Sequence, residues 1–171
     1  MDNKYEIENL ANVLVKELIS SGKLIAVAES CTGGWISKAL TDVSGSSQCF
    51  GFGMVAYSNA AKTTLLGVNE IVLEEFGAVS EEVVAEMVTG TLETSGADFA
   101  VAVSGIAGPG GGTIEKPVGT VWLAWALRAS SGPIVNTAKL FLHGNRQEIR
   151  EQTVLCALQG VRERLRVQKK Q

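Results

Sequence analysis

An unbroken apolar run, Leu24-Ile25-Ala26-Val27-Ala28, ends at the corner Glu29-Ser30-Cys31-Thr32-Gly33-Gly34, and a helix-compatible stretch begins at Trp35. A short apolar run bounded by turn residues reads as a strand buried on both faces. The corner is therefore a strand-to-helix elbow carrying two hydroxyls and a thiol. Adjacent glycines in a first helical turn cost about 1 kcal/mol each relative to alanine, so local stability does not explain them. Close approach of backbone N–H groups to a ligand would.

The same pattern recurs once. Residues 99–103 form a second wholly apolar run, which enters Ser104-Gly105-Ile106-Ala107-Gly108-Pro109-Gly110-Gly111-Gly112-Thr113. Around the two strands the periodicity changes to that of helices. Ile7, Leu10, Leu14 and Leu18 make one stripe, and Val83, Val84, Met87 and Leu92 follow the N-cap residue Ser80. Val154, Leu158, Val161 and Leu165 line a last helix that starts at Arg146. A short helix is expected over residues 60–65, after Ser58-Asn59, and a strand over 50–57 that Gly51 and Gly53 weaken or bulge. Residues 120–128 and 134–143 are two strands so close together that they must form an antiparallel hairpin. The expected fold is α/β, a three-layer α/β/α sandwich spanning residues 1–171 as one domain. Its sheet is mixed and mostly parallel, with the hairpin at the C-terminal end. If the strands ending at Glu29 and Val103 are parallel neighbours, both glycine-bearing loops leave one sheet edge and face one pocket.

Composition removes several function classes. A formal charge of −3 with thinly spread Lys and Arg argues against a nucleic-acid surface. The basic stretch 162–170 reads as a solvated helix end. No apolar run approaches the roughly 18 residues of a membrane span, and Met1-Asp2-Asn3-Lys4 does not begin a signal peptide, so a cytoplasmic setting is expected. Cys31, Cys49 and Cys156 lack metal-binding spacing and read as reduced thiols. No cofactor is expected.

Within the elbow, Ser30, Cys31 and Thr32 compete as nucleophile. At a helix N-terminus Cys31 is expected to have a lowered thiol pKa, yet the single histidine, His143, sits far along the chain in an alternating strand where a surface or packing role is ordinary. A helix-capping role for Ser30 or Thr32 is the plainer reading. A serine without histidine needs another base, and Tyr57-Ser58-Asn59-Ala60-Ala61-Lys62 offers one. Lys62 falls in a first helical turn, where dipole and burial both disfavour the ammonium form, and Tyr57 can relay or orient the proton. The plainer reading makes Lys62 an exposed helix lysine and Tyr57 a strand-end aromatic. The loop after residue 103 fits neither the dinucleotide fingerprint nor a P-loop, but suits a backbone nest. Arg146, in Gly144-Asn145-Arg146, is placed to bind a phosphate or carboxylate.

Together these blocks resemble the CinA C-terminal domain family, also described as nicotinamide-nucleotide amidases. The resemblance is carried by residues 28–34, Tyr57-Ser58-Asn59-x-x-Lys62, Gly77-Ala78-Val79-Ser80, residues 104–109, Lys116-Pro117-Val118-Gly119-Thr120-Val121 and Gly144-x-Arg146. It implies hydrolysis of nicotinamide mononucleotide to nicotinate mononucleotide and ammonia in pyridine-nucleotide recycling. Ser30 would be the nucleophile, with Lys62 and Tyr57 as its activating partners. Thr32, Gly33, Gly34, Asn59, Ser104, Gly105, Gly108 and Arg146 would bind the substrate. The resemblance also implies a homodimer and the same three-layer fold. Two positions depart from the family pattern: Asn145 stands where an acid is usual, and Gly51 is atypical. A non-catalytic nucleotide-binding or interaction module on the same fold is the alternative.

Overall fold

The computed structural model describes residues 3–168, so Lys169 and Lys170 of the basic helix end lie outside the described residues. The sheet has five strands: β1 (Ile25–Glu29), β2 (Phe50–Val55), β3 (Phe99–Gly105), β4 (Thr120–Leu127) and β5 (Ile134–Phe141), in the order β2-β1-β3-β4-β5. β1 pairs in parallel with β2 and β3 on either side, while β4 runs antiparallel to both β3 and β5. The sheet is thus mixed, with β4 alone reversed, and the β4–β5 hairpin forms as the short connection requires. Ile25 pairs with Phe50 and Ala26 with Phe52, which leaves Gly51 as the extra residue of a bulge.

Strand alternation sorts the core into two slabs. Val27, Val101, Val103, Val121, Leu123 and Trp125 face helices α1 (Asn3–Ser20), α2 (Trp35–Thr41) and α6 (Arg146–Gln168). On the opposite face lie Ala28, Ala100, Ala102, Ala124 and Ala126, packed with Val83, Val84, Met87 and Leu92 of α5 (Glu81–Ser95). Five alanines on that side let α5 approach the sheet closely, whereas the bulkier face holds the two longest helices, α1 and α6. Trp122 and Trp125 accordingly point to opposite slabs. The structure adds a short helix, α4 (Glu70–Phe76), that the pattern does not announce. Asn69 caps it, and Leu73 is its buried residue, too little for a repeating stripe.

Helix α3 (Asn59–Leu66) crosses α5 at Gly90, where an added Cβ would collide with the Leu66 carbonyl, whose carbon would be 2.8 Å away. Gly90→Ala is therefore expected to lower stability by about 1–3 kcal/mol, measured by urea unfolding. Because the clash falls on α3, it is also expected to slow any reaction that depends on Lys62. An unchanged urea midpoint would show that the two helices separate freely.

β1 and β3 end side by side, with Glu29 opposite Val103 and the Ser30 N–H donating to the Val103 carbonyl at 3.1 Å. Both glycine-bearing loops therefore leave the same sheet edge.

Candidate active site

The alternation of β1 continues through the elbow and separates its reactive groups. Glu29 and Cys31 turn toward the α1/α2/α6 slab, and Ser30 turns toward α3. The fully buried Glu29 carboxylate accepts from the N–H groups of Gly34 (3.0 Å), Ile36 (3.0 Å) and Ser37 (2.8 Å), and from the Ser37 hydroxyl (2.8 Å). It caps α2 from the neighbouring strand, since Gly34 at the N-cap position has no side chain to do so. The Gly33 N–H closes a turn onto the Ser30 carbonyl at 3.1 Å. Gly33 and Gly34 thus spend their N–H groups inside the chain. Their φ values of 61° and 95° give the reason for glycine here. Among the described residues, the N–H groups of Cys31 and Thr32 donate to no oxygen.

On the other side of the sheet edge, Lys62 Nζ lies 3.2 Å from Ser30 Oγ and 3.1 Å from the Ala56 carbonyl oxygen. Lys62 is 1% exposed and Ser30 9%. Ser58 caps α3 by accepting from the Ala61 N–H, which places Lys62 in the first turn and aims its side chain under the elbow. Burial pushes the Lys62 amine below its ordinary pKa, because a hydroxyl and a carbonyl do not compensate an ammonium for lost water. The exposed-lysine reading is set aside.

Cys31 behaves oppositely to the sequence expectation. It is buried in the α1/α2/α6 core, and desolvation pushes its thiol up to about 12, outweighing its place at the elbow. His143 is exposed on the segment after β5. Thr32 is buried, and its Oγ1 has no hydrogen-bond partner among the described residues.

The rim is more open. Tyr57 is 59% exposed, and its hydroxyl accepts from Arg146 Nη2 at 3.1 Å rather than bonding Ser30 or Lys62. Arg146 Nη1 donates to the Gly108 carbonyl at 2.8 Å, which ties the glycine loop to the start of α6. Asn59 is exposed at the start of α3. The Ser104 hydroxyl is buried and donates to the Ala78 carbonyl at 2.6 Å, so it braces the turn before α5. A Cβ at Gly105 would lie 3.1 Å from Cys31 Sγ and closer still to Val121, which is why the backbones can meet there. Asn145 Oδ1 accepts from the N–H groups of Gln147 and Glu148, a capping task that needs no carboxylate.

Two site residues go beyond the sequence reading. Glu29 had a signal, an acid closing a doubly buried strand. Arg150 had a weaker one, one helical turn beyond Arg146. Its guanidinium donates to the carbonyls of Cys31 (3.1 Å) and Thr32 (2.7 Å) and lies over the Trp35 ring.

Comparison with known proteins identifies the family and supports the fold. The model of the CinA C-terminal domain matches residues 7–165. The chain belongs to that family. It is 54% identical over 142 residues to the nicotinamide-nucleotide amidohydrolase PncC of Enterobacter agglomerans, covering 83% of this chain and 85% of that one. Identity to the PncC of Escherichia coli is 47% over 154 residues, covering 90% and 92%. A CinA-like protein of Akkermansia muciniphila is 53% identical over 153 residues, and there the match takes in 90% of this chain but 36% of the relative. The chain thus spans about a third of that longer relative and most of the PncC proteins. Among solved structures, the competence/damage inducible protein CihA of Agrobacterium tumefaciens superposes with a TM-score of 0.86 at 45% identity, covering 91% of this chain and 93% of that one. The competence damage-inducible protein A of Klebsiella pneumoniae gives 0.88 at 36%, covering 93% and 96%.

Proposed function

We propose that this member of the CinA C-terminal domain family hydrolyses nicotinamide mononucleotide to nicotinate mononucleotide and ammonia through a serine nucleophile. The observation that carries the reading is the 3.2 Å contact between Ser30 Oγ and a buried lysine whose pKa is depressed. With its amine neutral, Lys62 accepts the hydroxyl proton as Ser30 Oγ attacks the carboxamide carbon. The Ala56 carbonyl holds the amine in place meanwhile. Charge that develops on the substrate oxygen falls to an elbow N–H, a kind of donor worth roughly 2.7–4 kcal/mol of barrier. Lys62 then returns its proton to the departing nitrogen, the C–N bond breaks, and ammonia leaves a nicotinoyl ester on Ser30. Water attacks that ester with Lys62 again as base, which frees the carboxylate product.

The graded exposure from Ser30 to Tyr57 suits a substrate whose pyridine ring reaches inward while its ribose phosphate stays at the rim. The Tyr57–Arg146–Gly108 chain stands at that rim. Arg146 retains further N–H donors for a phosphate, and Asn59 and the Ser104–Gly108 backbone border the same edge. In this reading the enzyme works in the cytoplasm as a homodimer, an expectation that sedimentation of the purified chain would test.

The test is product analysis with nicotinamide mononucleotide. Wild type and Cys31→Ala are expected to release ammonia and nicotinate mononucleotide, and Ser30→Ala is not. Full activity in Ser30→Ala with loss in Cys31→Ala would overturn the assignment. Tight nucleotide binding by wild type with no product would show a binding module instead.

A further inference from the structure

Among the described residues, Arg150 is the one long cation that reaches the elbow from the α6 side. Its Nε and Nη2 fork onto the carbonyls of Cys31 and Thr32. The guanidinium plane is held by the Trp35 ring, 5.2 Å from its centroid. In a trans peptide the C=O and N–H of one plane point in opposite directions. The Cys31 carbonyl and the Thr32 N–H share such a plane. Drawing that carbonyl toward α6 therefore turns the Thr32 N–H away from α6, toward the sheet face where Ser30 meets Lys62. The next two donors along the chain are already committed, the Gly33 N–H to the Ser30 carbonyl and the Gly34 N–H to Glu29. A cation on the carbonyl end also polarises the amide and strengthens its N–H as a donor.

We propose that Arg150 is a positioning residue that aims the Thr32 N–H at the substrate oxygen as Ser30 attacks. This rests on the serine-amidase reading of the site. Arg150 stands behind the peptide plane and does not touch the substrate. Its effect therefore falls on the transition state, where the oxygen becomes negative, rather than on ground-state binding.

The experiment compares wild type, Arg150→Lys and Arg150→Met in two assays, with folding checked by far-UV circular dichroism. In the first, kcat for ammonia release is expected to fall about tenfold in Arg150→Lys and about a hundredfold in Arg150→Met, with KM kept within about twofold. The lysine keeps the charge but cannot fork both carbonyls. The second assay is labelling by a fluorophosphonate, which needs no carboxamide. There the Ser30 Oγ–P bond forms, the P–F bond breaks, fluoride leaves and the hydroxyl proton passes to Lys62 Nζ. The same rank order of labelling rates is expected, with Ser30→Ala unlabelled. If wild type is labelled but releases no ammonia, the amidase reading fails, while the labelling order still decides the role of Arg150. Labelling and kcat at the wild-type level in a folded Arg150→Lys, or losses confined to KM, overturn the proposal. Should Arg150→Met not fold, the Lys variant decides alone.

Discussion

Lys62→Met is expected to abolish turnover and at the same time to raise the thermal midpoint at neutral pH. The loss of rate follows from removing the proposed base, a contribution of about 10²–10⁴-fold. The gain in stability follows from the direction of the pKa shift. Burial lowers the Lys62 pKa in the folded protein, so between that value and the ordinary 10.5 the unfolded chain binds more protons. Below its folded pKa the lysine therefore subtracts stability in full. The deficit shrinks as pH rises and is gone above the unfolded value. A methionine fills similar volume without a charge to desolvate. The stability difference between the two proteins is thus expected to be largest at pH 7 and to close toward pH 10.5, as read from thermal melts across that range. In wild type, kcat/KM should rise with pH through the same group. A Lys62→Met protein that melts lower at every pH would mean that the two bonds of the amine outweigh its burial, and unchanged kcat/KM would remove Lys62 from the mechanism.

Glu29→Ala is expected to cost about 3–5 kcal/mol, the largest loss of stability from any single change at the elbow. The carboxylate satisfies three backbone N–H groups and one hydroxyl, and α2 has no cap of its own. Each buried donor left without a partner costs about 1–3 kcal/mol, partly relieved where the helix end can shift toward water. For a chain of this length that lowers the midpoint by about 10 °C. Glu29→Gln keeps one acceptor oxygen but turns an NH2 group toward N–H donors, so it should fall between wild type and alanine. Urea unfolding of the three proteins measures the series. A loss below about 1 kcal/mol in Glu29→Ala would show that water caps the helix as well as the carboxylate does.

Much of this site is legible in the chain because its key contacts are short in topology even when long in sequence. The apolar runs before Glu29 and Ser104 mark buried parallel strands, and parallel neighbours must release their loops at one edge. The separation of Ser30 from Cys31 is also written there. Counting by twos from Val27 places Cys31 with the valines of one slab and Ser30 with Ala28 on the other, so the hydroxyl and the thiol cannot share a pocket. Helix-terminus logic alone assigns Cys31 a reactive thiol, and it fails because desolvation outweighs the dipole once the sulfur is inside the core. The burial of Lys62 depends on how α3 folds back beneath the elbow from the edge strand β2, which periodicity does not encode. The Arg150 contacts join residues more than a hundred positions apart, and no local pattern announces them. Gly33 and Gly34 show the same limit in reverse. Their need for glycine is visible, but whether it serves φ or ligand access is decided by where their N–H groups end.

Ser30 and Lys62, the proposed nucleophile and base, are fastened to different slabs. Glu29 and Arg150 clamp the elbow to helices on one face of the sheet, whereas Lys62 rides on α3 and α5 beneath the other. The distance between Ser30 Oγ and Lys62 Nζ is therefore a gauge of how the two slabs are seated across the strands. Slippage between them by a fraction of an ångström would leave each slab intact and every strand paired, yet would change the gap that the proposed proton transfer must span. Loosening of the packing between slabs should thus register in the rate of proton transfer before it registers in the melting of the fold.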